Sequence, residues 1–279
     1  ESILEEVKNQ GFNAIQISPI QPCKDGQEWW NVYQSKGFKI GNKYGTKEDL
    51  ISLCEKAKEK GFKVISDVIC NHVANAGGGN LKLEVHPEVA ADLVKNKYFW
   101  KEKRNILNWN NRSEVINYCM ELPGLQTANY DLQDIIIDFL NELIDCGVDG
   151  FRFDAAKNIA LPSEGCDFWI RVLNGLKRKD LFNYAEVIFT EKYFIDEYNK
   201  YINVLTDSYG SDKNKLVTFV ETHDSYLNDG PTGYTKRMSD EMLVNEYRIL
   251  VNNYPNTLFY TRPFNDTWKT KAIIEINNR

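Results

Sequence analysis

The sequence lacks the patterns that mark several large classes of protein. Its 279 residues contain no CxxC pair and no cysteine or histidine spacing typical of a zinc site. No stretch approaches the roughly 18 uninterrupted apolar residues of a transmembrane helix, so no membrane partner is expected. Acidic side chains outnumber basic ones by 40 to 34 and the signs are mixed, which argues against nucleic acid as a partner.

Cysteine is present, but its positions do not force any pairing. We expect mostly free, buried thiols, although the even number leaves disulfides open. The six cysteines are Cys23, Cys54, Cys70, Cys119, Cys146 and Cys166. The chain starts at Glu1 rather than at Met, which we interpret as trimming or processing, so the missing signal peptide does not decide the compartment.

Strand and helix patterns alternate along most of the chain, which predicts parallel βαβ units. The predicted strands are residues 12–20, 62–68, 148–154, 182–187, 202–206, 216–221 and 257–260. The predicted helices are residues 2–10, 47–60, 134–146, 166–177, 191–200, 240–252 and 268–276. No glycine-rich phosphate loop follows a strand, so an α/β fold of the TIM (β/α)8 barrel type fits better than a nucleotide-binding open sheet.

One long segment interrupts the alternation. Residues 73–127 contain three consecutive glycines, many asparagines and isolated aromatic side chains, and such a long excursion is usually functional or a small inserted subdomain. We therefore predict a barrel domain of residues 1–72 and 128–279, with residues 73–127 as an inserted domain. In the numbering of a complete eight-stranded barrel, the insertion lies between strand 3 and helix 3. The chain begins at what would be the first barrel helix, so the first strand is expected to be missing from it.

The decapeptide Gly-Phe-Arg-Phe-Asp-Ala-Ala-Lys-Asn-Ile (150–159) is the most informative segment. Arg152 and Asp154 stand two residues apart at the end of a predicted buried strand, so both side chains are expected on one face. A neighbouring guanidinium keeps a carboxylate ionised, and an ionised carboxylate at a strand end suits the nucleophile of a covalent glycosidase. Taken alone, the same two residues are equally compatible with a structural ion pair.

Acidic and histidine side chains also stand at the ends of other predicted strands. A barrel brings the carboxyl ends of its strands to one mouth, which would collect these side chains in a single site. They are Asp67, Asn71 and His72 after one strand, Glu186 after another, and His223 and Asp224 after a third.

Four segments together resemble the signature regions of the α-amylase family, glycoside hydrolase family 13. They are Asp-Val-Ile-Cys-Asn-His (67–72), Gly-Phe-Arg-Phe-Asp-Ala-Ala-Lys (150–157), Glu-Val-Ile (186–188) and Phe-Val-Glu-Thr-His-Asp (219–224), in the family's order. Leu-Pro-Gly-Leu (122–125) resembles a further motif near the end of the family's inserted domain. Residues 29–34 and 221–229 look most like those of secreted bacillus-type α-amylases. The match is specific for the family and much less so for α-amylase activity within it.

The resemblance implies a retaining, endo-acting hydrolase of α-1,4-glucosidic bonds in starch, glycogen or maltooligosaccharides. Asp154 would be the nucleophile, Glu186 the general acid/base and Asp224 the stabiliser of the transition state. Asp67 is expected to pair with Arg152 and to fix its orientation. The implied substrate contacts are Tyr33, which would stack on a sugar ring, and Gln34, His72, Arg152, Lys157, His223 and Asn228. The alternatives for single residues are a core aromatic for Tyr33, a surface glutamate for Glu186 and a solvated lysine for Lys157.

The resemblance also implies a Ca²⁺ ion between the inserted domain and the barrel, and no organic cofactor. Asn71 matches a side-chain ligand of that ion, and the carbonyl of Asn158 matches a main-chain ligand. Thr127 stands where the family usually has aspartate, and the loss of a carboxylate should weaken a site for a hard cation.

The implied partner is an α-glucan polysaccharide or oligosaccharide bound by a monomer, and the resemblance favours an extracellular location, with the cytoplasm left open. Two alternatives stay open as well. One is another family member, a transglycosylase or an oligo-α-glucosidase. The other is an inactive glucan-binding barrel or a fragment of a longer protein, which the missing first strand and the short connection between Thr206 and Leu216 favour.

Overall fold

Strands and helices alternate along the chain as the sequence predicts. The computed structural model describes residues 3–207, 210–228 and 238–278. Within these residues the strands are β1 (Ala14–Ile17), β2 (Lys63–Val68), β3 (Gly150–Phe153), β4 (Tyr184–Glu186), β5 (Asn203–Leu205), β6 (Leu216–Phe219) and β7 (Thr257–Leu258). The α-helices there are α1 (Leu4–Asn9), α2 (Lys47–Glu59), α3 (Ala91–Lys95), α4 (Arg112–Asn117), α5 (Tyr130–Asp145), α6 (Phe168–Gly175), α7 (Lys192–Tyr198), α8 (His223–Leu227), α9 (Asp240–Asn253) and α10 (Lys271–Asn277). The predicted number and order of strands are confirmed, and each strand is shorter than predicted.

The chain divides into two compact units. The β1–β4 unit consists of Ile15–Lys58 and Lys63–Glu186. The β5–β7 unit consists of Glu1–Ala14, Glu59–Phe62 and Val187–Arg279. In the first unit the strands lie side by side in chain order from β1 to β4, and in the second from β5 to β7.

Parallel pairing in the β1–β4 unit aligns the strand ends that carry the predicted site. Asp67 of β2 is the register partner of Arg152 in β3, and Arg152 is in turn the partner of Tyr184 in β4. The glycine that begins β3 permits the close approach of the next strand, because a Cβ at Gly150 would lie 2.0 Å from the carbonyl oxygen of Phe182. The three strands therefore end together, with their carboxyl ends at one edge.

Helix α5 shows how the sequence builds the layer beside these strands. The side chain of Asn129 caps its first turn by accepting a hydrogen bond from the backbone N–H of Leu132 at 3.1 Å. Its apolar residues recur at intervals of three and four, so they share one face, and that face is buried. The buried members are Leu132, Ile136, Phe139, Leu140, Leu143 and Ile144.

The β5–β7 unit has an apolar cluster of its own. Tyr247 of α9 packs with Ile273 and Ile276 of α10, and the partly buried rings of Phe12 and Phe259 lie against them. The β5–β6 and β6–β7 pairs are parallel. Between β5 and β6 the described residues form only the short 3-10 helix Lys213–Lys215, as the short connection in the sequence indicated, with residues 208 and 209 outside the description.

Residues 73–127 form no strand of the sheet, as predicted. They contain α3, α4 and short 3-10 turns. An isolated bridge between His72 and Gly124 joins them to the residues after β2, and another between Trp100 and Leu125 lies within the segment. The segment lies wholly within the β1–β4 unit. Its status as a separate inserted domain stays a prediction, as does the closed eight-stranded barrel.

All six cysteines are buried and free, which confirms the expectation of unpaired thiols. Among the helices of the described ranges, none has the length and apolar character needed to cross a membrane.

Candidate active site

The centre of the site is the buried guanidinium of Arg152. Its Nη1 donates to both oxygens of Asp67, at 2.8 and 2.6 Å, and to Asp154 Oδ1 at 3.0 Å. Its Nη2 donates to Glu186 Oε1. The side chain of Arg152 is 1% exposed, and those of Asp154 and Glu186 are each 11% exposed. The structure thus joins the predicted nucleophile and the predicted acid/base through one shared cation.

The turn after Asp154 adds a second link to Glu186. Ala155 has a φ of 48°, in the left-handed region, and its backbone N–H donates to Glu186 Oε2 at 2.9 Å. A non-glycine residue pays about 1 kcal/mol or more in this conformation, and such strain concentrates at functional sites. Both oxygens of Glu186 therefore face hydrogen-bond donors.

Asp67 orients Arg152, as predicted. The carboxylate of Asp67 is fully buried, and its Oδ2 also accepts from the hydroxyl of Tyr33 at 3.0 Å. Burial raises the pKa of Asp67, while the Arg152 guanidinium opposes the rise. The guanidinium faces more than one carboxylate, so the pKa of Arg152 lies well above its usual value in spite of burial.

His72 lies beside this cluster with its ring buried. Its Nε2 is 2.9 Å from the carbonyl oxygen of Tyr33, so Nε2 carries the proton and donates. Its Nδ1 is buried without a hydrogen-bond partner. Burial lowers the pKa of His72 to about 4, with a smaller lowering by the charge of Lys101. The neutral ring has no second N–H, so a sugar hydroxyl at Nδ1 would have to donate the hydrogen bond.

The remaining predicted subsite residues of the β1–β4 unit are placed as follows. Tyr33 ends the 3-10 helix Trp29–Tyr33, and Gln34 follows it with a buried, unpartnered Oε1. The ammonium of Lys157 lies 5.8 Å from the ring centre of Trp109, a half-exposed side chain of the 73–127 segment. Trp109 was not singled out from the sequence, where an isolated tryptophan in an irregular segment carries no pattern.

His223, Asp224 and Asn228 belong to the β5–β7 unit. Thr222 caps α8 by accepting from the backbone N–H of Ser225 at 3.3 Å, which sets His223 and Asp224 in the first turn. Asp224 Oδ2 lies 3.5 Å from His223 Nε2, and its Oδ1 accepts from Asn228 Nδ2 at 3.4 Å. These three predicted residues are therefore together, and their meeting with Asp154 and Glu186 stays a prediction. Asp229, in the segment likened to the bacillus-type enzymes, lies outside the described residues.

The segment that leads into α8 is held by an ion pair that the sequence did not reveal. The guanidinium of Arg262 donates to Glu221 Oε1 at 2.7 Å and to Glu221 Oε2 at 3.0 Å. The Glu221 side chain is 0% exposed and the Arg262 side chain 5% exposed. Arg262 also donates to Asp240 Oδ1 at 2.9 Å, at the start of α9. A residue 41 positions away thus fixes the approach to His223 and Asp224.

Two of the three predicted calcium ligands contact a lysine. The ammonium of Lys101 donates to Asn71 Oδ1 and to the carbonyl oxygen of Asn158, at 2.8 Å each. Thr127 is buried, and its carbonyl accepts from Gln133 Nε2 at 2.8 Å. Among the residues that the structure describes, no three histidine, cysteine, aspartate or glutamate side chains are grouped as a metal site would need. The donor set therefore does not fit the calcium ion that the resemblance implied.

Comparison with known proteins places the chain in a family. The family model for the α-amylase catalytic domain matches residues 2–251. The chain therefore belongs to the α-amylase family of glycoside hydrolases, as its four motifs indicated.

Two curated relatives agree with this assignment. An α-amylase of Clostridium acetobutylicum is 30% identical over 98% of this chain, and one of Butyrivibrio fibrisolvens is 26% identical over 95%. The chain spans only 40% and 33% of the length of these two proteins.

Solved structures agree on the fold. The α-amylase of Geobacillus thermoleovorans, complexed with acarbose, gives a TM-score of 0.74 at 19% identity, covering 99% of this chain and 70% of that one. The cyclomaltodextrin glucanotransferase CldA gives 0.77 at 19% identity, with the same coverages. At these identities the likeness shows the fold alone.

Proposed function

We propose that this chain carries the catalytic centre of a retaining, endo-acting hydrolase of α-1,4-glucosidic bonds. Its substrate would be starch, glycogen or maltooligosaccharides. Asp154 is the nucleophile, Glu186 the general acid/base and Asp224 the stabiliser of the transition state. Membership in the α-amylase family and the acarbose bound by the Geobacillus relative support this substrate class.

The observation that carries the proposal is the sharing of Arg152 by Asp154 and Glu186. A retaining glycosidase needs two carboxyl groups about 5–5.5 Å apart, one on each side of the scissile bond. Asp154 and Glu186 accept from Nη1 and Nη2 of one guanidinium at the ends of adjacent parallel strands, which supports the close pair of carboxyl groups that the proposal needs. Arg152 also stabilises the anion of Asp154, which the nucleophile needs.

Three carboxylates share the cation of the site. Asp67, Asp154 and Glu186 all accept hydrogen bonds from the Arg152 guanidinium in a buried setting. Burial raises the pKa of Asp67, Arg152 opposes the rise, and the negative charge of Glu186 adds to it. In the proposed reaction, Glu186 carries the proton that the leaving group requires.

Two steps follow. In the first, Glu186 gives its proton to the glycosidic oxygen as the bond from that oxygen to the anomeric carbon breaks, while an oxygen of Asp154 bonds to that carbon. In the second, Glu186 takes a proton from water, the water oxygen bonds to the anomeric carbon, and Asp154 leaves as the carboxylate. Two inversions give net retention.

The flanking side chains would bind the sugar rings. Tyr33 presents a ring whose hydroxyl is already held by Asp67, so the orientation of that ring is fixed before substrate binds. Gln34, His72, His223 and Asn228 offer hydrogen-bonding groups to hydroxyls. Lys157 does the same on the leaving-group side.

Release of reducing sugar from soluble starch, compared between the wild type and Asp154→Asn, tests the proposal. The wild type should cleave, and the variant should lose about 10³-fold or more, because an amide cannot form the covalent intermediate. Asp145→Asn is the matched control, since the Asp145 side chain, near the end of α5, is 58% exposed and pairs with the similarly exposed Lys177. Equal inertness of folded wild type and variant would instead favour a binding barrel or a fragment.

A transglycosylase is the second candidate. The structural likeness to a cyclomaltodextrin glucanotransferase, with a TM-score of 0.77, supports transglycosylation as a candidate activity. Both activities share the covalent intermediate and differ in whether water or a sugar hydroxyl attacks it. Chromatography of the products from maltohexaose separates them, because transfer yields chains longer than the substrate and hydrolysis yields only shorter ones.

A further inference from the structure

The ammonium of Lys101 stands where the family resemblance placed a metal ion. Its two oxygen partners, Asn71 Oδ1 and the Asn158 carbonyl, are the side-chain and main-chain atoms expected to bind calcium, and each lies 2.8 Å from the lysine nitrogen. Lys101 is 5% exposed, and burial lowers its pKa to about 7, so below that pH the positive charge is supplied from within the protein.

Calcium and this lysine cannot share the position. Calcium takes six to eight oxygen ligands at about 2.3–2.6 Å, usually with several carboxylates. A cation close enough to ligate both asparagine oxygens would occupy the space of the ammonium and would be repelled by it. Both oxygens are neutral, and Thr127 replaces the usual aspartate, so the site lacks the negative charge that a divalent ion requires.

We propose that Lys101 is the built-in cation of this site, and that its ammonium joins the 73–127 segment to the ends of β2 and β3 in place of a divalent metal. The contacts around it support this role. Asn71 follows β2, and its carbonyl accepts from the backbone N–H of Leu125 at 2.7 Å. Asn158 follows β3, and its Nδ2 donates to the carbonyl of Val115 at 3.0 Å. The Lys101 ammonium and these two hydrogen bonds therefore connect the residues after β2 and β3 to the 73–127 segment.

The Leu-Pro-Gly-Leu motif accommodates the lysine. The backbone N–H of Lys101 donates to the carbonyl of Gly124 at 2.9 Å. A Cβ at Gly124 would lie 2.9 Å from Lys101 Cδ and 3.3 Å from its Cβ and Cγ. The side chain of Lys101 therefore runs across the space that a glycine leaves open, and the pairing of Gly124 with Lys101 specifies the path of the ammonium to its partners.

The first test uses the wild-type protein. Thermal unfolding should give the same midpoint after EDTA and in millimolar CaCl2, and calorimetric titration of EDTA-treated protein with CaCl2 should give no heat from this site. A stoichiometric calcium heat that disappears in Asn71→Ala would overturn the proposal, as would an EDTA-induced fall in the midpoint that calcium reverses.

The second test removes the charge and keeps the length of the side chain. Lys101→Met leaves both asparagine oxygens without their donor, so the unfolding midpoint should fall by roughly 4–8 °C. Lys103→Met is the matched control two residues away, because Lys103 is 57% exposed and its partner Glu84 is 47% exposed. This control should shift the midpoint by about 1 °C or less. Equal shifts in the two variants would overturn the proposal.

Discussion

The backbone N–H of Ala155 donates to Glu186 Oε2 at 2.9 Å, which sets the Glu186 carboxylate against the residue that directly follows Asp154. Ala155 holds a left-handed φ of 48° in making this contact. The turn after β3 therefore positions two side chains at once, Asp154 by its place on the strand end and Glu186 by the amide that follows.

Glu186→Gln tests the acid role. The glutamine cannot protonate a leaving group, so hydrolysis of starch should fall by about 10²–10⁴-fold. Release of fluoride from α-glucosyl fluoride should fall much less, because fluoride leaves without needing a proton. Reducing-sugar and fluoride-electrode assays on the same preparation measure the two rates. Equal losses on both substrates would contradict the assignment, and Glu142→Gln, on the exposed Lys47 pair, serves as the control.

Arg152→Lys tests the shared cation. A lysine ammonium cannot donate from two fixed nitrogens to three carboxylates, so at least one buried carboxylate would lose its partner. We expect a loss of about 3–5 kcal/mol in the free energy of unfolding, measured by urea denaturation. Arg178→Lys, whose guanidinium is 37% exposed, should change it by less than about 1 kcal/mol. Comparable losses of unfolding free energy in the two variants would show that Arg152 does not stabilise the three buried carboxylates as the structure indicates.

His72 should make stability depend on pH. Its folded pKa of about 4 lies below its ordinary value of 6.5, so the unfolded chain binds more protons between these values. The free energy of unfolding should therefore fall by a few kcal/mol as the pH drops from 6.5 towards 4.

Asp67 acts in the opposite direction, since burial raises its pKa and protonation favours the folded state as the pH falls. The free energy of unfolding is measured by urea denaturation at each pH for the wild type and for His72→Gln, and the difference between them isolates the histidine contribution. The charged group that acts on the His72 ring is Lys101. A difference that does not change between these pH values would contradict the assignment.

Arg262→Met tests what holds the entry to α8. The substitution leaves Glu221, with a side chain 0% exposed, without its cation. A loss of about 3–5 kcal/mol in unfolding free energy is expected, whereas the double variant Glu221→Met, Arg262→Met should lose less than the sum of the two single changes. Strict additivity in urea denaturation would mean that the two side chains do not interact as the structure indicates.

The sequence was sufficient for the parts of the site that follow from local periodicity. Arg152 and Asp154 share a face because they are two residues apart on a strand, and parallel strands must end at one edge, which carries Asp67 and Glu186 to the same place. The ranges were predicted too long, as for β1, because apolar residues such as Phe12 and Ile20 lie close to Ala14–Ile17 in sequence but outside the strand.

Lys101 could not be predicted, because nothing local marks it. Its partners are 30 and 57 residues away, and a lysine after Trp100 in an irregular segment reads as a solvated side chain. The calcium prediction rested on the two asparagines, whereas Lys101, which donates to both of them, lies in the segment with the weakest sequence pattern. Arg262, 41 residues from Glu221, was missed in the same way.

The most direct measurement is mass spectrometry of the wild-type protein after reaction with 5-fluoro-α-glucosyl fluoride, followed by peptide mapping. The fluorine slows breakdown of the glycosyl-enzyme, so the intermediate should accumulate. The account predicts one added sugar, on the peptide that contains Asp154, and none in Asp154→Asn. A protein that hydrolyses starch but carries the sugar on another side chain, or carries none, would contradict it.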